Sequence, residues 1–321
     1  MNKIINTKPI AILMATYNGE KYLDAQIESI LSQTNNEWTL YIQDDGSKDK
    51  TLDIIKKYSD NNRIMWVDSG LTRQGCCMNF MTLLNMVESR YYMFCDQDDV
   101  WLPEKVQISI DKVRELEKTN PDKPILVHTD KKRVDADLNI ILESELNRTN
   151  LPIEKLNKLM KERNSLEQLR LGTFIAGCVM CFNHRAKEVS FPFNNSRMQD
   201  SVIAMAVAAN EGIIATVYRP TMLYRIHTHN TCGEVETSML NKLRNITNTL
   251  NGNLRMYYLY KVYGGGGNLL NFIYLRLEDL QLEDFEKIET IFYTKSDDGF
   301  NSGYLYVQCG SVYRKNLAIY L

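Results

Sequence analysis

Through its first 130 residues the chain alternates between two hydrophobic periods, and that alternation narrows the fold more than any other feature. Ile10-Ala11-Ile12-Leu13-Met14 is a continuous apolar run of strand length, and behind it Leu23, Ile27, Ile30 and Leu31 recur at helical spacing. Strand patterns return at Trp38–Ile42, Arg63–Val67 and Tyr91–Cys95. Helical patterns lie between them at Thr51–Tyr58 and across Phe80, Leu83, Leu84 and Val87. Strands that are apolar on both faces and alternate with helices make βαβ units around a parallel sheet, so the class expected is α/β.

The pattern then loosens. Ile125–Thr129 is another short strand, and residues 131–172 are a polar, Asn/Lys/Glu-rich excursion, partly helical. Phe174–Phe182 and Ile213–Tyr218 read as strands around a small-residue helix at Ser201–Asn210. After residue 235 the pattern turns helical and aromatic, broken by Gly264–Gly267, which cannot hold a helix or a strand. Residues 1–235 are therefore expected to form one domain and residues 236–321 a mainly helical C-terminal extension.

Composition removes several function classes. With 321 residues, 44% of them apolar, the chain can build a core without covalent staples. A net charge of −2 gives no basic excess, so nucleic acid is not an expected partner. Seven cysteines, an odd number and several in apolar runs, fit reduced thiols rather than a secreted disulfide framework. The apolar run Pro9–Ala15 is too short for a signal peptide, and no stretch reaches the ~18 apolar residues of a spanning helix. The expectation is a cytoplasmic protein, soluble or at most peripheral at the inner face of the cell membrane.

Three polar clusters stand where predicted strands end. Thr16-Tyr17-Asn18-Gly19 follows the first, Asp44-Asp45-Gly46-Ser47 the second and Asp96-Gln97-Asp98-Asp99 the fourth. Ligands bind outside the carboxyl ends of the strands in an open parallel sheet, so these loops share one edge. A tyrosine beside a carboxylate suits a flat heterocycle. Asp96 and Asp98 suit a hard divalent cation, which takes oxygen ligands and shares them with phosphates. A nucleotide diphosphate with its metal meets all of these demands. The structural alternatives are an Asp-Gly-Ser turn capping the next helix, and acidic residues favouring the helix start near Leu102-Pro103-Glu104. An EF-hand fails because Val100 and Trp101 stand where a ligand and a glycine belong. Cys178-Val179-Met180-Cys181 has no second cysteine pair and lies in an apolar run, so it reads as core. The glycine run lacks the Lys-Ser or Lys-Thr of a P-loop and reads as a hinge.

Taken together, Thr16-Tyr17-Asn18-Gly19, Asp44-Asp45-Gly46-Ser47 with Asp49-Lys50-Thr51, and Asp96-Gln97-Asp98-Asp99-Val100-Trp101 with Pro103 and Lys105 resemble the motifs of family 2 glycosyltransferases. Gly75 with Asn79-Phe80, Leu126-Val127-His128-Thr129-Asp130 and Tyr224-Arg225-Ile226-His227-Thr228-His229-Asn230 resemble its bacterial rhamnosyltransferase-like branch, and the likeness runs over residues 8–235. It implies the GT-A fold: a Rossmann-like mixed, mostly parallel sheet flanked by helices, here with the helical C-terminal extension. By the same resemblance Tyr17, between Thr16 and Asn18 of the nucleotide-binding loop, would stack on a pyrimidine, and Asp45 would accept its ring N–H. Arg73 would reach the base or diphosphate, and Asp96 would sit near the ribose. Asp98 would ligate Mg²⁺ or Mn²⁺, His227 would contact the metal or diphosphate, and Asp200 would be the catalytic base. The branch shows His-Asp-Trp where this chain has Gln199-Asp200-Ser201, which keeps the base and changes the pocket wall.

The activity implied is an inverting transfer of a sugar from a UDP- or dTDP-sugar to a glycan or lipid-linked glycan acceptor of bacterial surface polysaccharide. In such a transfer a carboxylate takes the acceptor proton and the metal neutralises the departing diphosphate. Asp200 also reads as a helix cap and His227 as a structural histidine. Leu243, Ile246, Leu250 and Leu254, with Lys242, Arg244 and Arg255 nearby, leave three roles open for the tail. It could pack on the catalytic domain, pair two chains into a homodimer, or lie on a membrane surface. A nucleotidyltransferase would want a Gly-rich loop with a lysine after the first strand, which Thr16–Glu20 does not offer. A catalytically silent nucleotide-sugar-binding or scaffold protein is the second alternative.

Overall fold

The computed structural model describes residues 3–148, 175–192 and 198–227, together with the backbone of three later strands. The chain divides into two compact units, Met1–Gly266 and Gly267–Leu321. The boundary expected at residue 235 falls among residues outside this description.

The first unit is built on a mixed sheet. Its strands are β2 (Ile10–Thr16), β3 (Trp38–Asp44), β4 (Ile64–Trp66), β6 (Tyr91–Cys95), β7 (Val100–Trp101), β8 (Ile125–Val134), β10 (Met180–Asn183) and β11 (Ile213–Arg225). They lie in the order β4-β3-β2-β6-β10-β8-β11-β7, with β9 (Ile140–Leu142) pairing β8. The β4-β3-β2-β6 half is wholly parallel. β10 enters antiparallel between β6 and β8, and β11 then runs parallel to β8. A short pair, β1 (Ile4–Ile5) with β5 (Val87–Glu88), stands apart.

Alternation along each buried strand feeds two cores. Ala11, Leu13 and Ala15 of β2 face helices α3 (Cys76–Met86), α6 (His184–Val189) and α7 (Gln199–Ala209). Ile10, Ile12 and Met14 face α1 (Leu23–Leu31), α2 (Thr51–Lys57) and α4 (Lys105–Thr119). The result is an α/β/α sandwich whose central strands are buried on both sides, as their continuous apolar runs require. α7 is apolar around its whole circumference, from Val202 to Ala209, because sheet and α3 enclose it. At its end a Cβ on Gly212 would stand 2.6 Å from the Pro124 and Val207 carbonyl oxygens. Only a glycine lets the chain turn there into β11.

Two expectations change. Phe174–Phe182 does not form one strand: Gly177–Val179 is a 3₁₀ turn and the strand begins at Met180. The excursion after residue 130 is in part strand, since β8 runs on to Val134 and pairs β9 before the short α5 (Glu145–Arg148).

Of the extension expected to be mainly helical, only the strands beyond residue 287 lie among the described residues, and these are not helix. Where residues beyond 287 are described they form an antiparallel sheet of β12 (Ile288–Lys295), β13 (Gly303–Cys309) and β14 (Tyr313–Ala318). The residue types explain it, since Ile288-Glu289-Thr290-Ile291-Phe292-Tyr293-Thr294 and Gly303-Tyr304-Leu305-Tyr306-Val307 are β-branched and aromatic. The leucine spacing that argues for helix lies at 243–275, outside the described residues.

Candidate active site

Three loops leave the carboxyl ends of β2, β3 and β6 and are stitched into one surface. The Gln97 side-chain amide clamps the Tyr17 backbone, accepting its N–H at 2.9 Å and donating to its carbonyl at 2.9 Å. Gly19 leaves room for this clamp, since a Cβ there would stand 2.3 Å from the Gln97 Oε1 and push the amide away. Asn18 takes a positive φ of 48°, which asparagine tolerates. Its N–H donates to the Ser47 hydroxyl and its Oδ1 accepts the Lys48 N–H, both at 2.8 Å. The Gly19 N–H donates to Thr51 Oγ1 at 2.7 Å and the Glu20 N–H to Asp49 at 3.0 Å, fastening the first loop to the start of α2.

Within this surface the two neighbouring aspartates do different work. Asp44 is consumed by the turn: it accepts the Gly46 and Ser47 N–H groups, the Ser47 hydroxyl and the Thr16 hydroxyl. Thr16, buried, thus spends its side chain on holding Asp44. Asp45 is 5% exposed and accepts the Gln74 and Gly75 N–H groups at 2.8 Å, one on each oxygen. Those bonds, with the Arg73 N–H on the Asp45 carbonyl, hold Arg73 at φ 58° and present it to solvent. A non-glycine residue at positive φ costs energy that these bonds offset. Tyr17, 52% exposed, stands free at the same edge.

The acidic end is more tightly built. Asp98 is half-buried, and its Oδ2 lies 2.9 Å from His227 Nε2, so the structure brings together the two residues assigned to the metal. The His227 ring also packs 4.9 Å from the Tyr22 ring at the start of α1. Arg225, two residues earlier on β11, locks the loop: its N–H donates to Asp99 Oδ1 at 3.0 Å and its Nε to the Asp98 carbonyl at 2.8 Å. Asp99 is wholly buried, and its Oδ2 has no hydrogen-bond partner among the described residues. Ligand atoms of Asp96, Asp99 and buried Cys178 lie within 4.8 Å of one another. Burial, then the adjacent Asp98 charge, pushes the Asp96 carboxyl up to about 7. Burial also lifts Asp99 and the Cys178 thiol well above their ordinary ranges.

Asp200 stands in the first turn of α7. Its oxygens accept the Gly177 N–H at 3.2 Å and the Ser201 N–H at 2.5 Å, and burial raises its carboxyl. Beside it Gln199 is 4% exposed, its Oε1 has no hydrogen-bond partner among the described residues, and its Nε2 would sit 3.2 Å from a Cβ on Gly177. The charges of Asp200 and Asp98 both act on Asp96, so the base position and the acidic loop share one neighbourhood.

A divalent cation fits this donor set. An orphaned buried carboxylate oxygen, two further carboxylates and an imidazole are ligands for a hard to borderline ion such as Mg²⁺ or Mn²⁺. Asp98 and His227 occupy the half-buried side, while Asp96, Asp99 and Cys178 lie against it. Sequence reasoning left out Asp99, Cys178, Arg225 and Gln97. Asp99 was legible as the last carboxylate of its run, whereas Cys178 comes from a distant turn that only the sheet order brings under Asp96.

The family model "Glycosyl transferase family 2" matches residues 11–185. Among curated proteins, the dTDP-rhamnosyl transferase RfbG of Shigella flexneri is 36% identical over 103 residues, 30% of this chain and 36% of the relative. The UDP-Glc:alpha-D-GlcNAc-diphosphoundecaprenol beta-1,3-glucosyltransferase WfgD of Escherichia coli is 33% identical over 101 residues, 32% of this chain and 39% of the relative. The matches thus span under two fifths of the curated relatives' length. Among solved structures, S. aureus TarS 1–349 in complex with UDP-GlcNAc superposes with a TM-score of 0.54 at 14% identity, covering 79% of this chain and 69% of that one.

Proposed function

The chain belongs to glycosyl transferase family 2, with the GT-A fold, and from that premise we propose that it moves a sugar, with inversion, from a UDP- or dTDP-sugar to a glycan or lipid-linked glycan acceptor in bacterial surface polysaccharide assembly. The observation that carries this reading is the convergence of Asp96, Asp98, His227 and Asp200 at the carboxyl ends of the strands, with Asp98 and His227 2.9 Å apart. RfbG and WfgD are named for dTDP-rhamnosyl and UDP-glucose transfer, and WfgD for a diphosphoundecaprenol acceptor. These names support a pyrimidine donor and a lipid-linked acceptor, and on that reading the work is done at the inner face of the cell membrane. Among the described residues no helix is long and apolar enough to cross a membrane.

Each residue then has a task. Tyr17 stacks on the base, and Asp45 offers the remaining lone pairs of its oxygens to the ring N–H. Arg73 reaches the base or diphosphate from a backbone that Asp45 holds. Asp98 and His227 hold Mg²⁺ or Mn²⁺, which when bound acts as a Lewis acid on the diphosphate. Asp200 takes the proton of the acceptor hydroxyl, and its raised carboxyl suits a base working near neutral pH. One base suffices for inversion, so no protein nucleophile is needed.

The test is a donor panel of UDP-sugars, dTDP-sugars and GDP-mannose, with Mn²⁺ or EDTA, read by calorimetry and by slow donor hydrolysis. We expect metal-dependent binding of a pyrimidine donor with turnover. Binding of that donor without turnover, even with acceptor glycans supplied, would favour a silent binding or scaffold protein. No binding of any donor would remove the donor-site reading.

A further inference from the structure

Beside its apolar face of Leu23, Ile27 and Ile30, α1 buries a second stripe that is polar. Gln26, Ser29 and Gln33 stand at intervals of three and four, which stacks them on one side, and Gln33 lies just past the helix end. Gln26 is wholly buried, and Ser29 and Gln33 are 8% and 4% exposed. Burying such groups costs free energy unless each finds a hydrogen bond. Among the described residues, the partners they find outside α1 all flank the acidic loop Asp96–Asp99.

Gln26 Nε2 donates to Cys95 Sγ at 2.8 Å, where the chain enters the loop. Ser29 Oγ donates to the Gln26 carbonyl at 2.7 Å and accepts the Trp101 N–H at 3.0 Å, where the chain leaves it. Gln33 Nε2 donates to the Leu102 carbonyl at 2.8 Å, and its Oε1 accepts the Val106 N–H at 3.0 Å. That last bond caps α4 from outside, since Glu104 at its N-cap makes no side-chain capping bond. The Thr34 N–H closes the seam on the Pro103 carbonyl at 2.9 Å. At the other end of α1, the Gly19 carbonyl accepts the Tyr22 and Leu23 N–H groups at 3.1 and 3.0 Å. The helix thus joins the loop that carries Tyr17 to the loop that carries Asp98.

Leucine at 29 and 33 would bury α1 as well as serine and glutamine do, but apolar packing does not hold a backbone N–H or carbonyl in place. Side chains that share one ion must be held to about 0.5 Å. The two ends of the acidic loop are secured differently. Near its entry Gln97 is clamped to Tyr17, so that end keeps its place through the nucleotide loop. Its exit, just past Asp98 and Asp99, has Ser29 and Gln33. On the donor-site reading proposed above, we infer that Ser29 and Gln33 are positioning residues: they set the exit of the acidic loop for the divalent cation and leave base recognition to Tyr17 and Asp45.

Calorimetric titration of UDP and dTDP into the full chain, with Mn²⁺ and again with EDTA, tests this on wild type, Ser29→Ala, Ser29→Thr and Gln33→Met. Urea unfolding of the same proteins reports stability separately. We expect Ser29→Ala and Gln33→Met to cut the affinity gained from Mn²⁺ by about tenfold, the lower end of what groups supporting metal ligands contribute. Affinity in EDTA should stay at the wild-type value. Ser29→Thr keeps the hydroxyl that accepts the Trp101 N–H and should restore most of the gain, which a role in packing alone would not produce. A loss of urea stability with the Mn²⁺ gain intact, or equal weakening with Mn²⁺ and with EDTA, would overturn the inference. Failure of the wild type to bind either nucleoside diphosphate would instead overturn the donor-site reading on which it rests.

Discussion

Asp200 and Asp98 carry different parts of the proposed chemistry, so their variants should fail differently. Asp200→Asn keeps one oxygen to accept either the Gly177 or the Ser201 N–H and gives up the other bond, so the fold should hold at a small cost in stability and donor affinity should be kept. Turnover should drop by about 10²–10⁴-fold, the usual contribution of a general base. Calorimetry beside an initial-rate assay checks this, and full activity in Asp200→Asn would remove the base assignment. Asp98→Ala should instead abolish the metal dependence of donor binding, and His227→Ala should weaken it, since the two side chains meet at 2.9 Å. Donor affinity that is the same with Mn²⁺ and EDTA in the wild type would sink that pair as ligands. The sequence reading gave Asp98 to the metal and His227 to the metal or diphosphate from two separate motifs, and the structure sets the two side chains 2.9 Å apart. It could not see that Asp44, identical in type and adjacent to Asp45, is spent on the turn. That difference depends on which oxygens face Gly46 and Ser47, a matter of backbone direction rather than residue type. Cys178 was legible only as a buried thiol, because its closeness to Asp96 arises from a 3₁₀ turn that no periodicity announces.

Elements were readable where hydrophobic period alone decides them. β2, β6 and α1 follow from runs and spacings that the two cores then use directly. β10 is different: Met180, Cys181 and Phe182 are apolar whichever neighbour they take, and nothing local says that it runs antiparallel between β6 and β8. What fixes it is a side chain at its end. Asn183 is buried, and its Oδ1 accepts the Ala186 N–H to cap α6 and the Ile125 N–H to start β8. Its Nδ2 donates to the Lys123 carbonyl at 3.0 Å. One residue thus ends a strand, begins a helix and aligns a neighbouring strand. Asn183→Ala removes the cap and leaves buried backbone groups unpaired, so we expect a loss of about 2–3 kcal/mol. A urea midpoint lowered with an unchanged slope would register it. A shift no larger than that of a surface alanine substitution would show that strand pairing alone aligns β10. The strands beyond residue 287 went unread for the converse reason. Its β-branched and aromatic strands follow a long leucine pattern, and a period established over one stretch does not carry across Gly264–Gly267 into the next.

At the scale of the whole molecule, buried titratable groups make folding depend on pH, and here two kinds oppose each other. His128 is buried in β8 with Nε2 bonded to Thr216 Oγ1 at 2.7 Å, and burial pulls its imidazole down to about 4. An ordinary histidine titrates near 6.5, so between pH 6.5 and 4 the unfolded chain binds a proton that the folded chain refuses. Stability from this group is complete above pH 6.5 and is lost as the pH falls toward 4. Asp96 works in the other direction. Its carboxyl at about 7 lies above the ordinary value of 3.8, so the folded chain keeps a proton that the unfolded chain has released, and stability falls as the pH rises from 3.8 to 7. The metal-free protein should therefore show a flatter acid profile than either group alone would give. Replacing His128 with asparagine separates the two, because Asp96 is common to both proteins. Unfolding free energies of wild type and His128→Asn, measured in EDTA at pH 7 and pH 4, should draw together at pH 4. The gap should shrink by about 3 kcal/mol, a little under the roughly 3.5 kcal/mol of the full lowering from 6.5 to about 4, because the folded imidazole is half protonated at pH 4. A pH-independent difference would mean that His128 takes up its proton in the fold, with the Thr216 hydroxyl turned to accept it. The same proteins titrated with Mn²⁺ should gain stability by mass action, about 2.7 kcal/mol at a hundredfold excess over the dissociation constant. That gain should vanish in Asp98→Ala and persist in His128→Asn, because the proposed ion site includes Asp98 and not His128.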